Sequence, residues 1–523
     1  MRPVRTRACT LAGTLAATMA ATLALRPPPA AHAQVPGWDR GLDAELDSIR
    51  KAWKIPGMAV AVVAKGKVLH LKGYGVRDLA AGTPVSPDTK FRIASLSKSF
   101  TVTTLAALAK DGRLGWEDRV RQHLPEFQAY DPWVTEHLSV RDLVTMRTGI
   151  ARHDLLWGID VFPREELVRR IRHIQPNQDF RTAWQYQNLM FTTAGYLAGR
   201  VDGGGWEALV RRRVLQPLGM TRASPVLADY EADDDFTRPY ALHDDGVVRL
   251  VDRQRNTDPI APTGGLHASL RDMTHYLTLH LQGGAFNGQE LIRRADSRAM
   301  QSPQMAMSRG MAWEAGEFPE LSDEGYGMGF LVTHYRGHKM VHHPGNWDGW
   351  SLELSFLPND SLGVVVLTNM YSTTLRDFLP FLLYDRLLGL SNSRWSDRFL
   401  ARAARARATQ VTTRAREDSA RIPGTAPAHT LDAYVGRYTH PAYGEAVVTR
   451  DATGLRLRFG NFEFPLAHYH YDSFRYEPPA GDPTYNRFRW RVSFVTGLSG
   501  RVETLLAPLE PAVPPLPFTR ITP

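Results

Sequence analysis

Residues 57–78, GMAVAVVAKGKVLHLKGYGVRD, consist of two apolar, β-branched runs around Lys65-Gly66, a pattern that predicts an antiparallel hairpin. Similar runs return near the other end of the chain, at 329–334, 339–343, 350–356 and 363–368, separated by YRGH, PGNWDG and PNDS. Between them the texture is helical. Residues 95–110 predict a helix ended near Gly112, and 114–223 reads as mainly helical, with loop punctuation at TGI and QPNQD and a helix from Trp206 to Leu215. Strands at both ends of a helical middle predict one α/β domain whose sheet closes across the sequence.

Working outward, 523 residues exceed what one compact core holds, so two or three domains are expected. After Pro427 short alternating strands such as EAVVTR, LRLRFG, FEFPLAHYHYD, RFRWRVSF and RVETLL predict an all-β domain, a small barrel or sandwich. Residues 391–425 join the two parts. Eight arginines between 391 and 421 face Asp397, Glu417 and Asp418, and an Ala/Arg helix packing through Trp395, Phe399 and Leu400 is expected there. No nucleic-acid motif accompanies that charge, so a solvated linker is the reading. At the N-terminus, Arg2, Arg5 and Arg7 precede an Ala/Leu-rich run and Ala31-His32-Ala33, which predicts a secretory signal peptide over 1–33 and a periplasmic or secreted protein with no membrane segment after cleavage. Four arginines and no acids lie in that leader, so the formal charge of +9 falls to +5 without it. Cys9, the single cysteine, also lies there; a cleaved chain has no thiol chemistry and no disulfide.

The chemistry begins at 91–102, FRIASLSKSFTV. Residues three apart on a helix share a face, so Ser95 and Lys98 converge at the helix N-terminus. A serine alcohol needs a neighbour to take its proton, and a lysine serves once burial and nearby positive charge favour its neutral form. Two further short patterns accompany the pair: Tyr186-x-Asn188 just before a helix, and His343-x-Gly345 at the end of a strand.

In this order and spacing the three motifs resemble the serine β-lactamase and penicillin-binding protein superfamily, in its class C-like, peptidase S12-type branch, where Tyr-x-Asn is the second motif. VRDLVTMRTGI, WEALVRRRVLQPLGMT, PTGGLHASLRDM, YGMGF and GVVVLTN also match, and the likeness spans roughly Asp39 to Leu390. It implies an antiparallel sheet flanked by helices with an all-helical subdomain over 36–390; separately, LDAYVGRY, LAHYHYDSF and the strand texture over 426–523 resemble the lipocalin-like barrel that follows the hydrolase domain in some members. The superfamily likeness further implies Ser95 as nucleophile, with Lys98 and Tyr186 sharing proton transfer; which of the two is the base stays open. Asn188 is expected to orient Lys98 and to bond substrate. The backbone N–H groups of Ser95 and Asn346 form the expected oxyanion hole, where one donor is worth about 3 kcal/mol.

The third motif departs from the Lys-Thr-Gly of β-lactamases, since His343 is largely neutral near pH 7 and Pro344 has neither hydroxyl nor amide proton. Weak carboxylate capture follows, which argues against β-lactam turnover; histidine at this position resembles DD-peptidases, D-amino-acid peptidases and esterase-like relatives, and the resemblance implies a DD-peptidase or D-amino-acid peptidase acting on a small or short-peptide substrate. The alternatives are a carboxylesterase or β-lactamase-like enzyme, or a penicillin-binding sensor or scaffold without turnover. No cofactor and no metal are implied. His468 and His470 alternate on one strand, but no third ligand is evident. Zinc-peptidase, Gly-x-Ser-x-Gly and P-loop motifs do not occur.

Overall fold

The computed structural model describes residues 35–521 apart from 160, 252–255, 308–316 and 477–489, and the leader peptide reading lies outside these described residues. Among them no helix is long and apolar enough to cross a membrane.

The hairpin forms as its sequence predicts. Strands β1 (Gly57–Ala64) and β2 (Lys67–Asp78) meet at Lys65 and Gly66, both at positive φ (50° and 75°), the two-residue turn whose twist suits a hairpin. With β3 (Thr83–Pro84), β4 (Met305–Ala306), β5 (Leu321–Tyr326), β6 (Leu331–Tyr335), β7 (His338–Trp347), β8 (Trp350–Leu357) and β9 (Leu362–Thr368) they build an antiparallel sheet ordered β4-β5-β6-β7-β8-β9-β1-β2-β3. The closing pair is β1 with β9, from Met58 opposite Thr368 to Ala64 opposite Leu362.

Every residue of β1, β8 and β9 is buried, on one face or the other, which is why β1 and β9 are almost continuously apolar rather than alternating. Ala59, Ala61 and Val63 face one core; Met58, Val60 and Val62 face the other. The second core is covered by α1 (Leu42–Ala52). The first holds α2 (Ser97–Lys110) and a helical layer that includes α3 (Arg164–Arg170), α4 (Asn188–Asp202) and α5 (Leu270–Leu281). Helix α6 (Leu375–Leu388) and the start of α7 (Trp395–Ser419) complete the second.

Helix α7 packs through Trp395 and Phe399, one turn apart, but Leu400 is exposed, contrary to expectation. A step of one residue rotates a side chain about 100° away from its neighbour's face. Its arginines pair with acids of the first domain: Arg398 with Glu320 at 2.7 Å and Arg414 with Asp244 at 3.1 Å.

Beyond it, β10 (Gly436–His440), β11 (Gly444–Asp451), β12 (Gly454–Phe459), β13 (Phe462–His470), β14 (Ser473–Tyr476), β15 (Arg491–Thr496), β16 (Val502–Ala507) and β17 (Leu516–Arg520) close a barrel. Tyr438 opposite Arg520 makes the last pair, which removes the exposed edges a sandwich would keep.

Buried histidines set an expectation for acid stability. Burial lowers His267, His280 and His343 to about 3 and His153 and His440 to about 4, from the ordinary 6.5. Below pH 6.5 the unfolded chain binds protons that the folded chain refuses, so stability falls as pH drops from about 6.5 toward 4. Urea denaturation should show a lower midpoint at pH 5 than at pH 7; equal midpoints would mean these side chains are not held neutral.

Candidate active site

The nucleophile turn is built by Ala94, whose φ of 49° is the left-handed region that non-glycine residues rarely take. It turns the chain from the extended Lys90–Arg92 into a short 3₁₀ turn, Ala94–Leu96, that runs directly into α2. Lys98, one turn on, is fully buried, and its Nζ lies 3.1 Å from Ser95 Oγ. Nζ also donates to the Thr263 carbonyl at 2.9 Å. Burial, reinforced by the positive charge of Arg152, holds Lys98 well below the ordinary lysine range, so its neutral amine is favoured.

Tyr186 stands over this pair, with Lys98 Nζ 4.8 Å from its ring centroid. Burial pushes its phenol up to about 12 even though Arg152 and the Ser95 hydroxyl draw it down. The group is therefore a neutral O–H near pH 7. Two residues later Asn188 opens α4, but its amide does not bond Lys98 as expected. Its Nδ2 donates to Asp154 Oδ1 at 2.7 Å, and its Oδ1 accepts from Thr263 Oγ1 at 3.2 Å. Asn188 thus acts on Lys98 through Thr263, because the carbonyl of that residue is the group that reaches Nζ.

The third motif lies within β7, which continues to Trp347 rather than ending near His343. Strand β6 stops pairing at His342, while β8 pairs with β7 through Pro344, Gly345 and Asn346 to Trp347. Pro344 is tolerated there because its missing N–H falls on the unpaired edge. By the two-residue parity of an antiparallel ladder, the N–H of Asn346 points to that same open edge. Gly345 is required by close approach: a Cβ would stand 2.6 Å from the Ile93 carbonyl and 2.9 Å from Leu352 Cδ1. Arg376 secures the strand by donating to the Gly345 carbonyl at 2.7 Å. Gly345→Ala should push the turn carrying Ser95 away from β7 and lower turnover about 100-fold, the scale of an ångström's misplacement. Circular dichroism with steady-state rates would test this; unchanged turnover would show that the strand does not set the nucleophile's position.

His343 is fully buried, and its Nδ1–H donates to the Pro344 carbonyl at 2.7 Å. Its Nε2 has no hydrogen-bond partner among the described residues. Burial first, and Lys98 second, depress it to about 3, so it offers no cation. Ser95, Asn188 and Asn346 border one cleft of about 210 Å³, walled by the stacked indoles of Trp157 and Trp347 at 5.7 Å. Lys98 reaches it through Ser95, while Tyr186 lines a neighbouring cavity of about 410 Å³.

Sequence reading missed Arg152, Asp154, Thr263 and Arg376. Thr263 stood in a family-like segment, PTGG, whereas the Arg-His-Asp run after TGI had no motif to mark it. Among the described residues no group of three or more His, Cys, Asp or Glu is placed to hold a metal ion. A bulge between His468 and His470 separates their partners: His468 Nε2 bonds the Tyr471 carbonyl and His470 Nδ1 accepts from the Ile422 amide.

A serine and a buried amine at hydrogen-bond distance, on a helix packed against a β-lactamase-type sheet, belong to a serine hydrolase. The family description Beta-lactamase matches residues 45–383, so the chain belongs to that family; a domain of unknown function, DUF3471, matches 420–520. The chain is 28% identical to the unguisins hydrolase ungD' of Aspergillus campestris, across 76% of this chain and 75% of that one. It is 25% identical to protein flp of Staphylococcus aureus, across 61% and 60%. Among solved structures, the octameric penicillin-binding protein homologue from Pyrococcus abyssi shares the fold, with a TM-score of 0.59 at 21% identity, over 89% of this chain and 97% of that one.

Proposed function

We propose that this hydrolase forms an acyl-enzyme on Ser95 and cleaves an amide or ester bond of a small or short-peptide substrate, in the manner of a DD-peptidase or D-amino-acid peptidase. The observation that carries the proposal is the 3.1 Å approach of a fully buried, neutral-favoured Lys98 amine to Ser95 Oγ. Lys98 takes the hydroxyl proton as Oγ attacks the carbonyl carbon, and the carbonyl oxygen becomes an oxyanion facing the N–H groups of Ser95 and Asn346. Collapse breaks the scissile bond. Tyr186 gives its proton to the departing nitrogen or oxygen and regains one from Lys98. Water then attacks the ester, Lys98 again takes the proton and hands it to Oγ as the acyl–oxygen bond breaks, which releases the acid and restores the serine and the neutral amine. A phenol held near 12 suits this donor role better than that of a base.

A neutral His343 also favours a second reading, a carboxylesterase, because this motif gives a substrate carboxylate no partner. Intact mass after incubation with a fluorescent penicillin, a D-alanyl peptide or an activated ester, with Ser95→Ala as control, separates the readings. A serine-dependent penicillin adduct or D-alanyl peptide turnover supports the first, and ester turnover alone the second. No label and no turnover would leave a scaffold.

A further inference from the structure

The third motif supplies no cation, yet the Ser95 cleft contains one. Arg152 borders the cleft with its side chain half exposed, beside Ser95, Asn188 and Asn346. We infer that Arg152 is the receptor for a carboxylate on the substrate, presented to the cleft by the β-barrel through Glu510 and Tyr443. This rests on the proposed acyl transfer at Ser95 and names a feature of its substrate.

The donor arrangement suits that ligand. Arg152 Nε donates to Asp154 Oδ2 at 2.5 Å, while its two terminal nitrogens make no hydrogen bond with a described residue. Asp154 is itself saturated, since its Oδ1 accepts from Asn188 Nδ2 at 2.7 Å and from Trp157 Nε1 at 3.0 Å. The carboxylate therefore holds Nε and leaves the two terminal nitrogens, each able to turn an N–H toward a planar anion. The Tyr186 ring, 4.7 Å from Cζ, supports its face. Other nearby cations are committed: Lys98 is buried under Ser95, and Arg376 bonds Gly345 and Asp377. Asp348, a second acid bordering the cleft, is buried.

The barrel enters through the next residue. His153 has φ 46° and ψ 40°, a left-handed conformation that costs free energy in a non-glycine residue. Its N–H donates to Glu510 Oε2 at 2.7 Å, and its Nδ1 lies 2.9 Å from the Tyr443 hydroxyl. Both partners belong to the barrel domain and are buried. A third tie, the Asn461 amide to the Ile159 carbonyl at 3.1 Å, fixes the far end of the same loop. The backbone between Arg152 and Asp154 is thus set from the barrel, and no described barrel residue borders the cleft itself.

The test is equilibrium binding of N-acetyl-D-alanine and of N-acetyl-D-alaninamide to the full-length protein, followed by calorimetry and by tryptophan fluorescence. The acid should bind about ten- to a hundredfold more tightly, the value of a charge-assisted pair, and Arg152→Gln should remove that preference. Equal or absent binding of both probes by the wild type, or a preference surviving in Arg152→Gln, overturns the assignment. Glu510→Gln and Tyr443→Phe, which keep side-chain shape, should each reduce the preference by about threefold. Preferences unchanged in both variants would overturn the barrel's part. Binding needs no turnover, so a protein that selects the acid through Arg152 but acylates nothing would refute the Ser95 proposal and leave the carboxylate site standing.

Discussion

Ser95→Ala is expected to lower kcat/KM for an activated ester by about 10⁴-fold or more, since removing the nucleophile of such a unit leaves only binding and oxyanion stabilisation. The fold should survive. Ser95 Oγ meets the Lys98 amine and the Tyr186 hydroxyl, and Lys98 keeps its bond to the Thr263 carbonyl when that oxygen is gone. Steady-state rates, paired with thermal melts, check both halves. Activity within tenfold of wild type in a folded variant would place the chemistry elsewhere.

Lys98→Met carries the second large effect, a loss of about 10²- to 10⁴-fold, the range for a positioned general base. Methionine preserves the buried stem without a charge, so stability should change little. Lys98→Arg should not restore activity, because a guanidinium stays protonated and cannot accept the serine proton. The pH profile gives the sign independently. Burial and Arg152 depress Lys98, so the amine gains a proton only as pH falls through that lowered value. Wild-type kcat/KM should therefore fall on the acid side and level off above it, with residual Lys98→Met activity lacking that limb. The same limb in both proteins would assign it to another group. His343, held near 3, does not titrate in the range above pH 5.

Several features of the site were legible because they depend on neighbours in sequence. Ser95 and Lys98 meet because one helical turn separates them, and the Lys65-Gly66 turn needs only its own two backbone conformations. Other features depended on distant partners. PGNWDG reads as a loop, yet its first four residues form the end of β7 and only Asp348-Gly349 turn, because β8 supplies a ladder on one side while β6 leaves the other edge free for Pro344. Asn188 was expected on Lys98 and instead reaches it through Thr263, 75 residues away. Leu400 was assigned to a packing face that the helix places one step away. The barrel's closure rests on Tyr438 meeting Arg520, which strand texture alone does not distinguish from a sandwich.

By itself the sequence determined the helical pairing of nucleophile and amine, the hairpin that starts the sheet, the division into an α/β part and an all-β part, and the superfamily motifs. The motifs rest on resemblance; the rest follows from local periodicity and turn chemistry, which act over a few residues. Only the tertiary structure decided that Lys98 is dry enough to favour its neutral form, that His343 is neutral, and that Arg152 stands in the cleft with Glu510 behind its backbone. Each of those is a matter of desolvation or of charges brought together across the chain, and neither quantity exists until the helical layer, the sheet and the barrel have packed.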